Sequence, residues 1–442
     1  MSDPTTDIPT PPPPAPPRPW WTGGQYSLVR ALLGMGLAAW FAAVAAGAWR
    51  TGAGATPAAP GAGGGAGAAA VGLALTGVVA ALLFAAGAGD RASAVTVIAA
   101  ATLLTAARLA APGAGGLAIA GVLLAHLATP PAPYGSWAAR GRPDPSVEWT
   151  PGRGWWHAVW IVLAGAQVVA ASRAFAGPRT DGVDTGRVIA GALAIALPIA
   201  ALIPRSRAGV FVGAGLLQAA RLIGAGAGGV AGLLLVGGSA ATIPDPATPC
   251  AATEAAAFLV ALLFGFDPAW VPRRRGATPA TLFYDGACGL CHRAVRFVVA
   301  EDPRGEAFRF APLQAGLLQQ RLDEAQRRDL PDSLVVLTGD GRILTRSAAV
   351  RFILGALGGW WTIAARLGGL VPRAAGDALY DVVARGRRRW FAAPAAMCPV
   401  ASPSLRQRFH HGGAQLVDRL PASPGKPPTP GAGPAGQPGG RP

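Results

Sequence analysis

The residues best equipped for chemistry stand together in residues 283–292, Phe-Tyr-Asp-Gly-Ala-Cys-Gly-Leu-Cys-His. Cys288 and Cys291 are three apart, and the apolar period after them marks a helix that opens at the pair. A thiol in the first turn of a helix faces unpaired backbone N–H groups and the positive end of the helix dipole, which favour thiolate over thiol. One turn on, Cys291 is within reach of a disulfide. Such a pair suits thiol-disulfide exchange, in which Cys288 attacks and Cys291 resolves the mixed disulfide. Two blander uses share the spacing: half of a zinc site, completed from Cys398, His292, His410 or His411, and a pair of inert buried thiols. Asp285 reads either as a proton acceptor for the second thiol or as a turn residue ahead of Gly286. His292 could tune the thiolate, but its place predicts a helix residue facing solvent.

The elements that must position the pair follow from pattern. Residues 281–284 read as a buried strand, 288–300 as a helix, 307–313 as a strand, 317–328 as a helix and 333–338 as a strand. Gly339-Asp340-Gly341 is a hairpin turn leading to a strand over 342–345, and Ser347 is expected to cap a helix through 357. Helices over 360–367 and 373–391 follow. The order strand-helix-strand-helix-strand-strand-helix is that of the thioredoxin fold, with the cysteines where that fold keeps its redox pair. Pro331 falls near the position of that fold's cis-proline, although Asp332 and Ser333 intervene before the strand.

The run from Phe283 to Cys291 resembles the signature of the DCC family of predicted thiol-disulfide oxidoreductases. Asp302, the stretch Phe308-Arg309-Phe310-Ala311-Pro312-Leu313-Gln314, the Asp332-Ser333 step and Thr345-Arg346-Ser347 are similar to its pattern too. The resemblance covers about residues 279–400. It implies a thioredoxin-like redox domain whose functional cysteines are Cys288 and Cys291, and it supplies no substrate.

Before residue 271 the texture is different. The chain has 442 residues, 51% hydrophobic and only 14% charged, against about 25% charged in ordinary soluble domains. Most of the apolar excess lies here, so a membrane part is expected. Apolar stretches over 26–49, 69–89, 92–111, 116–129, 155–177, 187–204, 208–243 and 253–270 predict about eight spans. Trp20, Trp21 and Tyr26 form an interfacial belt. No cleavable signal peptide precedes the first span, which is therefore expected to be an uncleaved anchor. Small residues favour close helix packing in lipid. Among the deepest polar residues, His126, Gln167, Gln218 and Arg221 are expected to satisfy one another or lipid headgroups, and no span carries a carboxylate near its middle. Arg91, Arg140, Arg142, Arg153, Arg205 and Arg207 lie on the side that also holds the N-terminus. By the positive-inside rule both termini are then cytoplasmic.

This region resembles the HTTM group, related to vitamin K-dependent gamma-carboxylases, at Thr22 to Arg30, at Pro130 to Trp137 and at Phe266 to Trp270. That chemistry is attributed to a lysine base, and residues 1–271 contain no lysine. The net charge of +16 comes almost wholly from arginine, Lys426 being the exception. Scattered through an Ala-, Gly- and Pro-rich chain, it reads as codon bias plus membrane-flanking charge, with no nucleic-acid partner.

The expected fold class is thus a membrane α-helical bundle of about eight spans followed by an α/β thioredoxin-like domain. Its parts are a Pro-rich leader (1–25), a polytopic membrane domain (26–271), the thioredoxin-like domain (277–400) and a Pro/Gly-rich tail (401–442). The expected catalytic residues are Cys288, Cys291 and Asp285, with no cofactor and no metal. Cys398 is a candidate third redox cysteine or a single thiol, and Cys250 lies in a loop without an evident partner. The chain is expected in a bacterial inner membrane, exchanging electrons with protein or small-molecule disulfides and thiols, with a membrane quinone as a further partner. The rival reading is a lipid- or quinone-carrying bundle with a structural or sensing C-terminal domain.

Overall fold

The computed structural model describes residues 21–54, 64–107, 114–145, 149–176, 185–235, 251–271, 278–328, 330, 334–392, 394, 396, 398–400 and 402–410. Cys250, Pro331, Asp332 and Ser333 lie outside them, as do His411 and Lys426. The first part is helical: α1 (Gly23–Gly54), α2 (Gly64–Ala86), α3 (Asp90–Ala106), α4 (Ala114–His126), α5 (Arg153–Ala176), α6 (Thr185–Leu202), α7 (Arg207–Leu235) and α8 (Ala251–Leu262). Each expected apolar stretch holds a helix, but a count of eight crossings is not supported. Among the described residues three helices are long and apolar enough to cross a membrane, over Gly23–Trp49, Gly67–Ala86 and Gly154–Ser172. For two of the others the reason is length. With 13 and 12 residues, α4 and α8 reach only about 18–20 Å, against a hydrocarbon core about 30 Å thick. In addition, α1 starts at Gly23 and Trp21 is fully buried, inside the stretch read as a leader.

Small residues let these helices meet closely. A β-carbon on Gly34 of α1 would come within 2.6 Å of the Ala85 side chain of α2, so backbone packs directly on backbone. Indole N–H groups satisfy carbonyls where the chain leaves the helices: Trp21 donates to the Phe266 carbonyl at 3.1 Å and Trp160 to that of Gly265 at 3.1 Å.

The second part is a small mixed sheet with helices: β1 (Ala280–Tyr284), α9 (Gly289–Glu301), β2 (Phe308–Pro312), α10 (Leu317–Arg321), α11 (Glu324–Arg328), β3 (Val335–Leu337), β4 (Ile343–Thr345), α12 (Arg346–Leu357), α13 (Gly359–Gly368), α14 (Arg373–Trp390) and α15 (Pro403–Arg406). Strand order is β2-β1-β3-β4. Leu282 pairs in parallel with Phe310 and antiparallel with Val336, which in turn faces Leu344. Alternation along β1 sends Leu282 and Tyr284 into one core with Val295, Val299 and Phe308, and Phe283 into a second with Ala311, Leu318 and Val335. Both faces of this strand are therefore covered, which is why it reads as an unbroken apolar run.

Three local expectations change. The helix expected over 317–328 is two short ones, because Asp323 and Gln326 form a reciprocal cap: the Gln326 N–H donates to Oδ1 of Asp323 at 2.7 Å, and the Asp323 N–H to Oε1 of Gln326 at 3.1 Å. Ser347 does not cap α12, whose N-cap is Thr345. Instead Asp377 of α14 takes the Ser347 N–H at 3.1 Å and its hydroxyl at 2.5 Å, a carboxylate from another helix serving the helix start. Finally, residues 402–410 belong to the sheet unit rather than to a tail. Phe310 donates its N–H to the Arg408 carbonyl at 3.0 Å, and the Phe409 ring stacks on Phe310 with centroids 4.9 Å apart.

The two parts touch. Glu301, fully buried at the end of α9, accepts from the Gly24 N–H at 2.9 Å, from the Thr22 hydroxyl and from the Trp361 indole. Arg296 donates to the carbonyls of Arg142 at 2.6 Å and Pro143 at 2.5 Å, and Trp360 lies 4.3 Å from the Phe266 ring.

Candidate active site

Strand β1 ends at Tyr284, and the turn that follows hands the chain to α9 with Cys288 as the N-cap residue in extended conformation. An N-cap side chain ordinarily offers an oxygen to the free N–H groups of the first turn. Here sulfur takes that place: the Cys291 N–H donates to Sγ of Cys288 at 3.3 Å. The helix start thus directs a donor and the positive end of its dipole at this sulfur. Both thiols are free and buried, with 3% and 8% of their surface exposed.

Cys291 is placed differently. Its thiol is pushed up to about 12, first by burial, then by its hydrogen bond to and proximity of Cys288, while the Asp285 backbone and Arg387 pull weakly the other way. The two sulfurs differ in place: one caps the helix, the other lies in its first turn.

Asp285 is buried beside them. Oδ1 accepts from the Ala287 N–H at 2.9 Å, which closes the turn, and from Nε2 of Gln314 at 3.0 Å. Arg387, on α14, approaches Oδ2 at 3.8 Å. Gln314 also accepts from the Gly286 N–H at 3.2 Å, so the turn is braced from β2's exit. His292 is buried rather than solvent-facing: Nε2 lies 3.0 Å from the Gly286 carbonyl, and its ring meets Tyr284 edge-on. The turn's carbonyl points back along the helix and needs a partner there. The end of α14 and the residues after it close over the pair. A β-carbon on Gly289 would come within 2.2 Å of the Ala392 carbonyl oxygen, and Arg293 lies over the Phe391 ring at 4.9 Å.

The structure therefore brings Cys288, Cys291 and Asp285 together. Cys398 packs half-buried against the same apolar core, its thiol donating to the Val400 carbonyl at 3.5 Å, and burial raises its pKa. Among the described residues no three His, Cys, Asp or Glu side chains group as a metal site. Sequence reasoning named Gln314 only as the end of a matching stretch, without its contact to Asp285, and missed Arg387, which lies 102 positions from Asp285 and carries no local motif. It also missed a buried cluster in the helical part. Arg30 lies 3.3 Å from Asp90, Asp90 lies 3.4 Å from Nε2 of His126, and Nδ1 of His126 meets the Tyr26 hydroxyl at 2.5 Å.

Residues 282–393 match the model of the DCC1-like thiol-disulfide oxidoreductases. The site and this match support a redox role. An uncharacterised protein of Bacillus subtilis (strain 168), YuxK, is 34% identical over 129 residues, 29% of this chain and 91% of that relative. The chain belongs to the DCC1-like thiol-disulfide oxidoreductase family. No solved structure matches it. The family match begins at residue 282 and leaves the helical part, with its HTTM resemblance, unmatched.

Proposed function

We propose that the chain is a membrane-bound thiol-disulfide oxidoreductase whose catalytic residues are Cys288, Cys291 and Asp285. The observation that carries this reading is the placement of the two sulfurs: Cys288 caps the helix, its Sγ accepting the Cys291 N–H at 3.3 Å, and Cys291 is buried one turn on. The mixed sheet in the order β2-β1-β3-β4, with the pair between β1 and α9, supports a thioredoxin-like domain.

The Cys288 thiolate attacks one sulfur of a substrate disulfide; a Cys288–substrate disulfide forms and the other substrate sulfur leaves as thiolate. Cys291 then gives up its proton, with Asp285 as the nearby acceptor, and attacks Sγ of Cys288. The second substrate thiolate departs and the pair is left as a disulfide. Two electrons have passed to the substrate, and an external dithiol or glutathione restores the pair. Run backwards, the same steps oxidise a dithiol.

A cytoplasmic setting favours the reducing direction. That setting is supported by the arginines around the sheet unit's seat: Arg296 reaches the Arg142 and Pro143 carbonyls, on the loop that also carries Arg140. The quinone partner and the carrier reading have no comparable observation behind them; the buried Arg30, Asp90, His126 and Tyr26 are engaged with one another.

The full-length chain in detergent, equilibrated in glutathione buffers, should show a reversible two-electron transition by mass shift and thiol labelling. Cys288→Ser should abolish it, and Cys291→Ser should accumulate a mixed disulfide. Folded protein whose thiols stay inert to dithiothreitol and glutathione would refute the assignment.

A further inference from the structure

Helix α14 is laid on the sheet unit with its polar residues inward. Asp377 holds the start of α12, the Tyr380 hydroxyl accepts from the Leu334 N–H at 3.2 Å, Asp381 pairs with Arg346 at 3.0 Å, and Arg387 reaches Asp285. These positions recur every three or four residues and form one face. The opposite face carries Leu379, Val382, Val383 and Trp390, of which Leu379 is 67% and Trp390 61% exposed. The turn leading into the helix adds Leu370, 80% exposed. Water-facing helices normally show the reverse pattern.

The flanks of this apolar stripe carry Arg385 and Arg389, both exposed and without an ion pair among the described residues. Both acidic residues of the helix are paired with arginines, Asp377 with Arg373 and Asp381 with Arg346, so the outer face is left apolar and cationic. An aromatic residue at the stripe's end and arginines along its edge are what an interfacial helix presents to acyl chains and headgroups. Position agrees with this. Helix α13, which leads into α14, begins against the helical part, where the Trp360 N–H donates to Gln25 at 3.3 Å and its ring meets Phe266. A bilayer around the helical part is then present at high effective concentration beside α14.

We infer that the outer face of α14 docks on an anionic lipid surface, with Leu379, Val382, Val383 and Trp390 in the interface and Arg385 and Arg389 on the headgroups.

The test uses single copies of the full-length chain in lipid nanodiscs and follows backbone hydrogen exchange over residues 373–390. In discs containing phosphatidylglycerol, exchange should slow on the order of tenfold relative to phosphatidylcholine discs, as two arginines near an anionic surface require. Protection should be lost in the outward-facing pair Arg385→Glu with Arg389→Glu. If that variant fails to fold, about 1 M salt, which shrinks the screening length to about 3 Å, should remove it from the native chain. Equal exchange in both lipids overturns the inference. So does protection that persists in salt, or that appears only with two copies per disc, which would make the stripe a face between chains.

Discussion

Two polar clusters invite comparison. In the helical part Arg30, Asp90, His126 and Tyr26 tie α1 to the start of α3 and the end of α4. In the sheet unit Asp285, Gln314 and Arg387 brace the turn that carries Cys288 and Cys291. Both are charge-paired across elements distant in sequence, but only the first is shut off from water, since Gln314 in the second is exposed. They differ in what the pairing leaves over. In the first, the ionisable groups face one another, and the product is a clamp between helices. In the second, the charges hold a turn in place so that a helix start points at a sulfur outside the ion pair. Buried charge becomes chemistry only where it leaves a reactive atom in an altered field.

That contrast can be broken in three ways. The largest effect is expected from Asp90→Ala, which leaves Arg30 buried without its carboxylate. Loss of one partner of such a pair costs about 3–5 kcal/mol, to be read as a lower unfolding midpoint in detergent. Thiol exchange in the molecules still folded should be unchanged; a loss of exchange at full stability would mean that the helical cluster belongs to the site.

The second prediction concerns the thiols. Because burial leads and Cys288 contributes next, Cys288→Ala should bring the Cys291 thiol down from about 12 while leaving it above the ordinary value of about 8.5. The pH dependence of alkylation measures this. Stability carries the same sign: an unfolded thiol ionises before the folded one, so the stabilisation is complete below about pH 8.5 and drains away as pH rises toward 12. Cys291→Ala should flatten that alkaline decline. A variant that keeps the full slope places the titration elsewhere.

The smallest effect belongs to Arg387→Ala. It removes one brace from Asp285 and loosens the cover over the pair, so alkylation of Cys288 should quicken severalfold, the equivalent of about 1 kcal/mol in local opening. Unchanged alkylation would show that the residues after α14, not Arg387, close the site.

What could be read in the chain divides along the same line. The strands, the helix at the cysteines and the placement of Asp285 follow from periods and turn residues within twenty positions of one another. Gln314, Arg387 and the cap that Asp377 gives to Ser347 depend on contacts from 29 to 102 positions away, for which a local pattern has no signal. Asp90 falls between two expected spans, and its partner Arg30 is 60 positions back. The spans were located by composition, but composition in Ala and Gly does not fix length, and α4 and α8 end before a bilayer would. His292 and the residues 402–410 were misplaced for one shared reason: each satisfies a backbone group of the sheet unit that only the folded chain exposes.

Helix α9 has one thiol at its N-cap and Glu301 at its last turn, seated on the first residues of α1. Thirteen residues of helix make a rod about 20 Å long. It acts as a ruler between the membrane helices and the sulfurs. A disulfide that this pair can serve must therefore reach a point about 20 Å along this rod from the foot of α1.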